Sequence, residues 1–162
     1  MSKYEFLLIA NKVLKECESE LGHDIIINYW KSNRPFSGRA YCETYTIMVP
    51  QPKSDISLNT FLHELGHLIY QVKPSCLNEY RACKFALDKM KENGIAISRK
   101  VKRHHNWYVA YSLAQAINRK LKTIPLELKP FRKFISTRKV HYINGEGKTW
   151  ISNQHFADSS KC

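Results

Sequence analysis

The run His63-Glu64-Leu65-Gly66-His67, set in an apolar stretch at 58–70, constrains this chain more than any other feature. Histidines four apart share a face on a helix, so the stretch must be helical if the pair is to act together. Leu58, Leu62, Leu65 and Ile69 recur at intervals of 4, 3 and 4. That is a core-facing stripe, and it leaves the two imidazoles on a different face. Neutral imidazoles so placed can hold one Zn²⁺ at roughly 2.0–2.1 Å each. Glu64, one step round the helix, then reaches a water beside the ion, which is the H-E-x-x-H pattern of a metalloprotease. Ser57 or Asp55 is expected to cap the helix start. Gly66 costs a helix interior about 1 kcal/mol relative to Ala. A small residue there makes sense if another segment has to approach the metal.

A hydrolytic zinc site takes three protein ligands and keeps one position for water. A second helix is predicted over 75–93, with Pro74 as a stop, Ser75 as N-cap and Asn93-Gly94 as the end. Glu79, Ala82, Cys83, Ala86 and Met90 follow helical spacing, which turns Glu79 inward. A buried carboxylate needs a partner, and a metal would supply one. The expected ligands are therefore His63, His67 and Glu79, with Glu64 catalytic. Cys76 and Cys83 are rival ligands ranked below Glu79, and recruitment of either would close the site.

His63 to His67, followed by Glu79, Ala82, Phe85 and Ala86 in a Glu-x-x-Ala-x-x-Phe-Ala pattern, resembles the ImmA/IrrE group of small gluzincin metallopeptidases. Gly38-Arg39-Ala40-Tyr41 and Thr46-Ile47-Met48-Val49-Pro50 are similar to the paired strands that precede the zinc helix in that group. The resemblance covers about residues 1–92. Members commonly carry Glu-x-Glu-Ala-Asn, whereas this chain has Arg81 and Cys83 at the second Glu and the Asn. The resemblance implies an α+β, minimal gluzincin-like domain, with a small antiparallel sheet of about three strands packed on zinc-bearing helices. It also implies an edge strand that holds substrate by β-addition, repressor-like protein substrates and a phage-encoded setting in the host cytoplasm.

The rest of the chain reads as one small domain. Leu7, Ala10, Leu14, Cys17 and Leu21 form a helical stripe, and strands are expected near 25–30, 39–43 and 45–49. Residues 1–98 form the expected metallopeptidase core. Residues 99–139 form a basic helical extension packed on it, and 140–162 a polar, partly disordered tail with a turn at Asn144-Gly145-Glu146-Gly147.

Charge is concentrated in that extension. The chain carries a net +12, and residues 99–139 hold 12 Lys and Arg against the single acid Glu127. Arg99, Lys100, Lys102 and Arg103 open the block. A helix is expected to follow, with Trp107, Ala110, Ala114, Ile117 and Leu121 on one side and Arg119, Lys120 and Lys122 at its end. Clustering of one sign attracts phosphates or an acidic protein. No DNA-reading motif accompanies it, so binding is expected to be weakly sequence-specific.

His104, His105, Tyr108 and His155 are candidate donors to a transition state, though His104 and His105 read first as surface residues of the basic block. Five cysteines without Cys-x-x-Cys spacing point to free thiols in a reducing cytoplasm. The expected function is a zinc-dependent endopeptidase making limited cuts in a regulatory or DNA-associated protein. The alternative is a nucleic-acid or protein binder, a phage-type inhibitor that keeps a zinc fold for structure.

Overall fold

In the computed structural model of the chain, residues 1–30 and 35–135 are described, together with the backbone of 141–143 and 148–150. The architecture is α+β. Helix α1 (Lys3–Leu21) leads to strand β1 (Ile26–Tyr29), strand β2 (Arg39–Tyr41), a 3₁₀ turn (Cys42–Thr44) and strand β3 (Thr46–Val49). Helices α2 (Asp55–Ile69), α3 (Ser75–Glu92) and α4 (Arg99–Asn118) follow, then a 3₁₀ segment, Leu126–Phe134. Strands β4 (His141–Ile143) and β5 (Lys148–Trp150) pair antiparallel. Residues 144–147, where a turn is expected, lie outside the described residues.

The three-stranded sheet is mixed rather than antiparallel, in the order β1-β3-β2. The short 3₁₀ turn between β2 and β3 folds them back on each other, giving the antiparallel pairs Arg39↔Met48 and Tyr41↔Thr46. The longer passage from β1 to β2 crosses to the far edge and leaves the centre open. β3 fills it parallel to β1, with Ile27 opposite Ile47. As the central strand, β3 has Ile47 and Val49 fully buried. β2 stays at an edge.

One apolar core joins α1, β3, α2 and α3: Phe6, Ala10, Val13, Ile47, Val49, Leu58, Leu62, Leu65, Ala86 and Met90 all belong to it. On α1 the buried stripe is Phe6, Ala10, Val13, Leu14 and Cys17; Phe6 and Val13 join the expected set, Leu21 packs half-buried against the same core, and Leu7 is only half-buried. Ser54 caps α2, with Ser57 closing a reciprocal capping box. The cap is thus one residue before the expected Asp55, since a serine hydroxyl reaches the unpaired amide three residues on. Pro74, not Ser75, is the N-cap of α3 and makes no side-chain cap bond.

α4 begins at Arg99, so the basic run is the first turns of the helix rather than a lead into it. Its buried residues are Val101, Val109, Ala110, Leu113, Ala114 and Ala116. Ile117, expected inside, is 39% exposed. A second core gathers Val109, Leu113 and Ala116 of α4 with Cys76 and Cys83 of α3 and Leu128 of the 3₁₀ segment. Pro130 falls inside that segment.

Candidate metal centre

α2 presents His63 and His67 beside a stripe that buries Leu58, Leu62, Leu65 and Leu68. α3 brings Glu79 to the same place, because it crosses α2 at unusually short range. A Cβ built on Gly66 would lie 2.8 Å from the Ala82 Cα. The small residue at 66 therefore admits α3, the element that carries the third candidate ligand.

Nε2 of His63 and Nε2 of His67 are 3.0 Å apart. Glu79 Oε2 lies 3.4 Å from the first and 3.2 Å from the second. A tetrahedral ion with ligand bonds of roughly 2.0–2.1 Å sets ligand edges of about 3.3 Å, and this triangle is close to that. Among the described residues, His63, His67 and Glu79 are the only such group of metal-ligating atoms. Glu79 Oε2 is buried and has no hydrogen-bond partner, despite the nearby imidazoles. An orphaned carboxylate oxygen facing two imidazole nitrogens is a position a divalent cation would satisfy, so the residues present fit zinc.

The electrostatics agree. Burial pushes the Glu79 carboxyl up, yet the two imidazoles outweigh it and hold the pKa at about 2. Burial disfavours the His67 cation, but Glu79 more than offsets this and leaves its pKa raised. His63 presents Nδ1 to the Cys83 thiol, with Sγ at 3.4 Å. That contact is on the opposite side of the ring from Nε2, which places the Cys83 sulfur behind His63 and outside the His63–His67–Glu79 group. Cys76 is fully buried in the second apolar core and lies outside the His63–His67–Glu79 group. The four described cysteines, Cys17, Cys42, Cys76 and Cys83, are free.

Glu64 is 6% exposed, and burial, chiefly, raises its pKa. It stands where two cavities meet. An outer cleft of about 330 Å³ is lined by Gly38, Ala40 and Tyr41 along edge strand β2, and by His67 and Glu79. An inner cavity of about 240 Å³ is lined by Phe36, Asn59, His63, Cys83, His104 and His105. Gly38, Glu64 and Tyr108 border both. A Cβ on Gly38 would sit 2.5 Å from Glu64 Oε1, so the backbone lies directly against the carboxylate.

His104 and His105 are not surface residues of the basic block. α4 turns them with Tyr108 into the inner cavity, while Arg99, Lys100, Lys102 and Arg103 occupy exposed positions in the preceding turn. Burial holds both imidazoles down, at about 4, so they are neutral at pH 7. His104 stacks on Phe36 at 4.1 Å and on Tyr108 at 5.7 Å, and Tyr108 meets His63 edge-on at 5.6 Å. Burial first, then Glu79 and Glu64, raise the Tyr108 pKa, so its phenol stays protonated. The i, i+4 spacing of His104 and Tyr108 was the available sequence signal for their shared face. His155 lies outside the described residues.

The seven basic residues form two groups, not one block. Arg99, Lys100, Lys102 and Arg103 sit at the start of α4 and Arg119, Lys120 and Lys122 just past its end. Fifteen helical residues, 104–118, separate the groups, by about 24 Å at the rise of an α-helix. All seven are exposed, and among the described residues none pairs with a carboxylate. Lys100 lies over the Phe36 ring, 5.7 Å from its centre. Among the described residues no helix is long and apolar enough to cross a membrane.

No protein-family model, no curated protein and no solved structure matches this chain.

Proposed function

We propose that the chain is a zinc-dependent endopeptidase of gluzincin type, related in kind to the ImmA/IrrE group, that makes limited cuts in a regulatory or DNA-associated protein. The observation that carries the reading is the convergence of His63, His67 and Glu79 from two helices, with a buried carboxylate beside them and a cleft in front. His63, His67 and Glu79 would hold the ion. Bound there, zinc would acidify a water and polarise the scissile carbonyl. Glu64 accepts the proton of the attacking water and returns it to the departing amine. Its burial raises its proton affinity above that of an ordinary carboxylate, which strengthens it as a base. Tyr108 supplies a protonated hydroxyl to the carbonyl oxygen as it gains negative charge. The edge strand β2 borders the cleft and offers backbone groups to an extended substrate by β-addition. Free thiols fit a reducing cytoplasm, that of a host cell in a phage-encoded setting.

Two variants test this together. Purified wild type should contain near-stoichiometric zinc, and Glu79→Ala should lose most of it. Glu64→Gln should keep its zinc while cleavage falls about 10²–10⁴-fold. Turnover by Glu64→Gln equal to wild type would remove the peptidase reading.

The unpaired basic groups favour a second role, contact with nucleic acid, either to place the enzyme near its target or as the whole function of a non-enzymatic binder. Four phosphate contacts by Arg99, Lys100, Lys102 and Arg103 would give a slope of up to about −3.6 in log affinity against log salt on duplex DNA. Lys100→Ala should reduce the slope by about 0.9. A flat salt profile in a DNA titration would leave an acidic protein as the partner of this surface.

A further inference from the structure

Histidines apart, the charged residues among those described that line the two cavities are Glu64, Glu79 and Arg39. The two carboxylates are committed to the proposed chemistry, and Arg39 is not. It is exposed on β2, and no carboxylate of the described residues pairs with it. β3 occupies one side of β2, which leaves the other side of this edge strand for an added strand. On the β3 side the residue opposite Arg39 is Met48. Tyr41, on the same face as Arg39 because strand residues alternate, turns its hydroxyl to the Met48 sulfur at 3.6 Å. The sheet therefore gives Arg39 no anion, and its remaining cross-strand neighbour is whatever residue an added strand sets opposite it. Ala40 packs against the apolar core, so a substrate residue opposite Ala40 turns inward, and one opposite Arg39 turns to the outer face with it. The register also carries a catalytic marker. The Gly38 backbone lies directly against Glu64, and Arg39 is the next residue, about 3.3 Å further along a strand.

From these features we infer that Arg39 determines specificity: it selects an extended peptide with an aspartate or glutamate opposite it, close to the scissile bond, so that the cut falls in an acidic segment. The inference rests on the peptidase reading and its strand addition along β2. Opposite charges facing each other across a strand pair favour the pairing, and like charges oppose it. A neutral substrate residue at that position leaves the guanidinium unpaired, and a lysine sets two cations side by side. Charged residues on edge strands also deter pairing between copies of a chain. That role alone predicts no choice among substrates, which separates the two.

The test uses the full chain as Glu64→Gln, which should hold a peptide without cutting it, and the peptides Ac-Val-Ala-Xaa-Ala-Val-amide with glutamate, glutamine or lysine at the centre. Dissociation constants come from NMR shifts of the β2 amides, in zinc-loaded and in metal-free protein. The glutamate peptide should bind up to about fivefold more tightly than the glutamine peptide, and the lysine peptide more weakly than either. Adding Arg39→Glu should reverse that order, and Arg39→Gln should bring the glutamate and lysine peptides level. Arg119→Glu makes the same change of charge at an exposed residue at the end of α4 and should leave the order as it stands. Equal affinities for the three peptides would overturn the inference, as would β2 amides that no peptide shifts, an order that survives Arg39→Glu, or one that Arg119→Glu reverses as well. Failure of the peptidase reading has a different mark, a wild type that holds no zinc or cuts no peptide. The order of peptide affinities is read in metal-free protein and stands or falls without either.

Discussion

Cys83 holds a place at the residue scale that its chemistry does not advertise. A metal-binding histidine ordinarily gives its second ring nitrogen to a carboxylate or a carbonyl, which fixes the ring and strengthens it as a ligand. Here the group facing His63 Nδ1 is a thiol, its sulfur at 3.4 Å, buried deeply enough that its pKa is pushed far up, with Glu79 and Glu64 adding to the effect. The thiol therefore stays protonated and neutral, and in the proposed centre it would be a weak acceptor for an Nδ1–H of His63. Cys83→Ala should weaken zinc binding about 10–100-fold by chelator competition, and Cys83→Ser should recover part of the loss. Cobalt-substituted wild type should show no thiolate-to-metal band in the near ultraviolet; such a band would make Cys83 a ligand and close the site. His63, Glu64 and His67 could be read from the sequence because one helical turn joins them, and Glu79 because a charge on an apolar stripe calls for a partner. The role of Cys83 could not be read, since a cysteine four residues after Glu79 says nothing of which ring nitrogen it faces.

At the scale of elements, the candidate metal centre depends on how closely α2 and α3 approach. Two substitution effects compete at Gly66. Alanine favours the helix by about 1 kcal/mol, but its Cβ would lie 2.8 Å from the Ala82 Cα and 3.1 Å from the Ala82 carbonyl oxygen. Both are backbone atoms, so relief requires one helix to move. The overpacking penalty is typically 1–3 kcal/mol, which outweighs the propensity gain. Gly66→Ala should therefore lower the thermal midpoint and carry Glu79 away from the imidazoles, reducing zinc affinity as well. A variant more stable than wild type with zinc retained would show that the crossing is looser than described. The same scale explains why α4 was harder to read. The sequence predicts a stripe along Trp107, Ala110, Ala114, Ile117 and Leu121, a set suited to packing on one side. In fact α3, the metal site and the 3₁₀ segment each take part of its circumference: Leu113 faces Cys76 and Leu128, His104 faces the cavity, and Ala114 packs with Phe134. A helix enclosed on several sides has no single hydrophobic period to find. The mixed sheet was missed for a related reason, since strand order depends on where β1 leaves its gap and not on the strands' own residues.

For the whole molecule, enclosing so many titratable groups ties stability to pH, most clearly in metal-free protein. His104 and His105 sit at about 4 when folded, against an ordinary 6.5. Between these values the unfolded chain binds more protons than the folded one, so stability is complete above pH 6.5 and is lost as pH falls toward 4. Glu79, held at about 2 against 4.5, acts in the same direction at lower pH: its contribution is present above 4.5 and lost as pH falls toward 2. His67 and Glu64, both raised, act oppositely. His67 stabilises below 6.5 and loses that contribution as pH rises through its folded value, and Glu64 does likewise from 4.5 upward. The net slope therefore mixes signs, and a comparison of variants isolates one term. Each buried histidine can contribute a slope approaching about 1.4 kcal/mol per pH unit inside its window. Urea midpoints in the presence of chelator should fall between pH 6.5 and 4 for wild type, and fall less steeply for His105→Gln, which cannot titrate there. Parallel curves for the two proteins would mean that His105 is solvated. With zinc bound, the titrations of His67 and Glu79 should leave the profile, because protons must then displace the ion, and the loaded protein should hold its midpoint to lower pH until the metal is released in a single step.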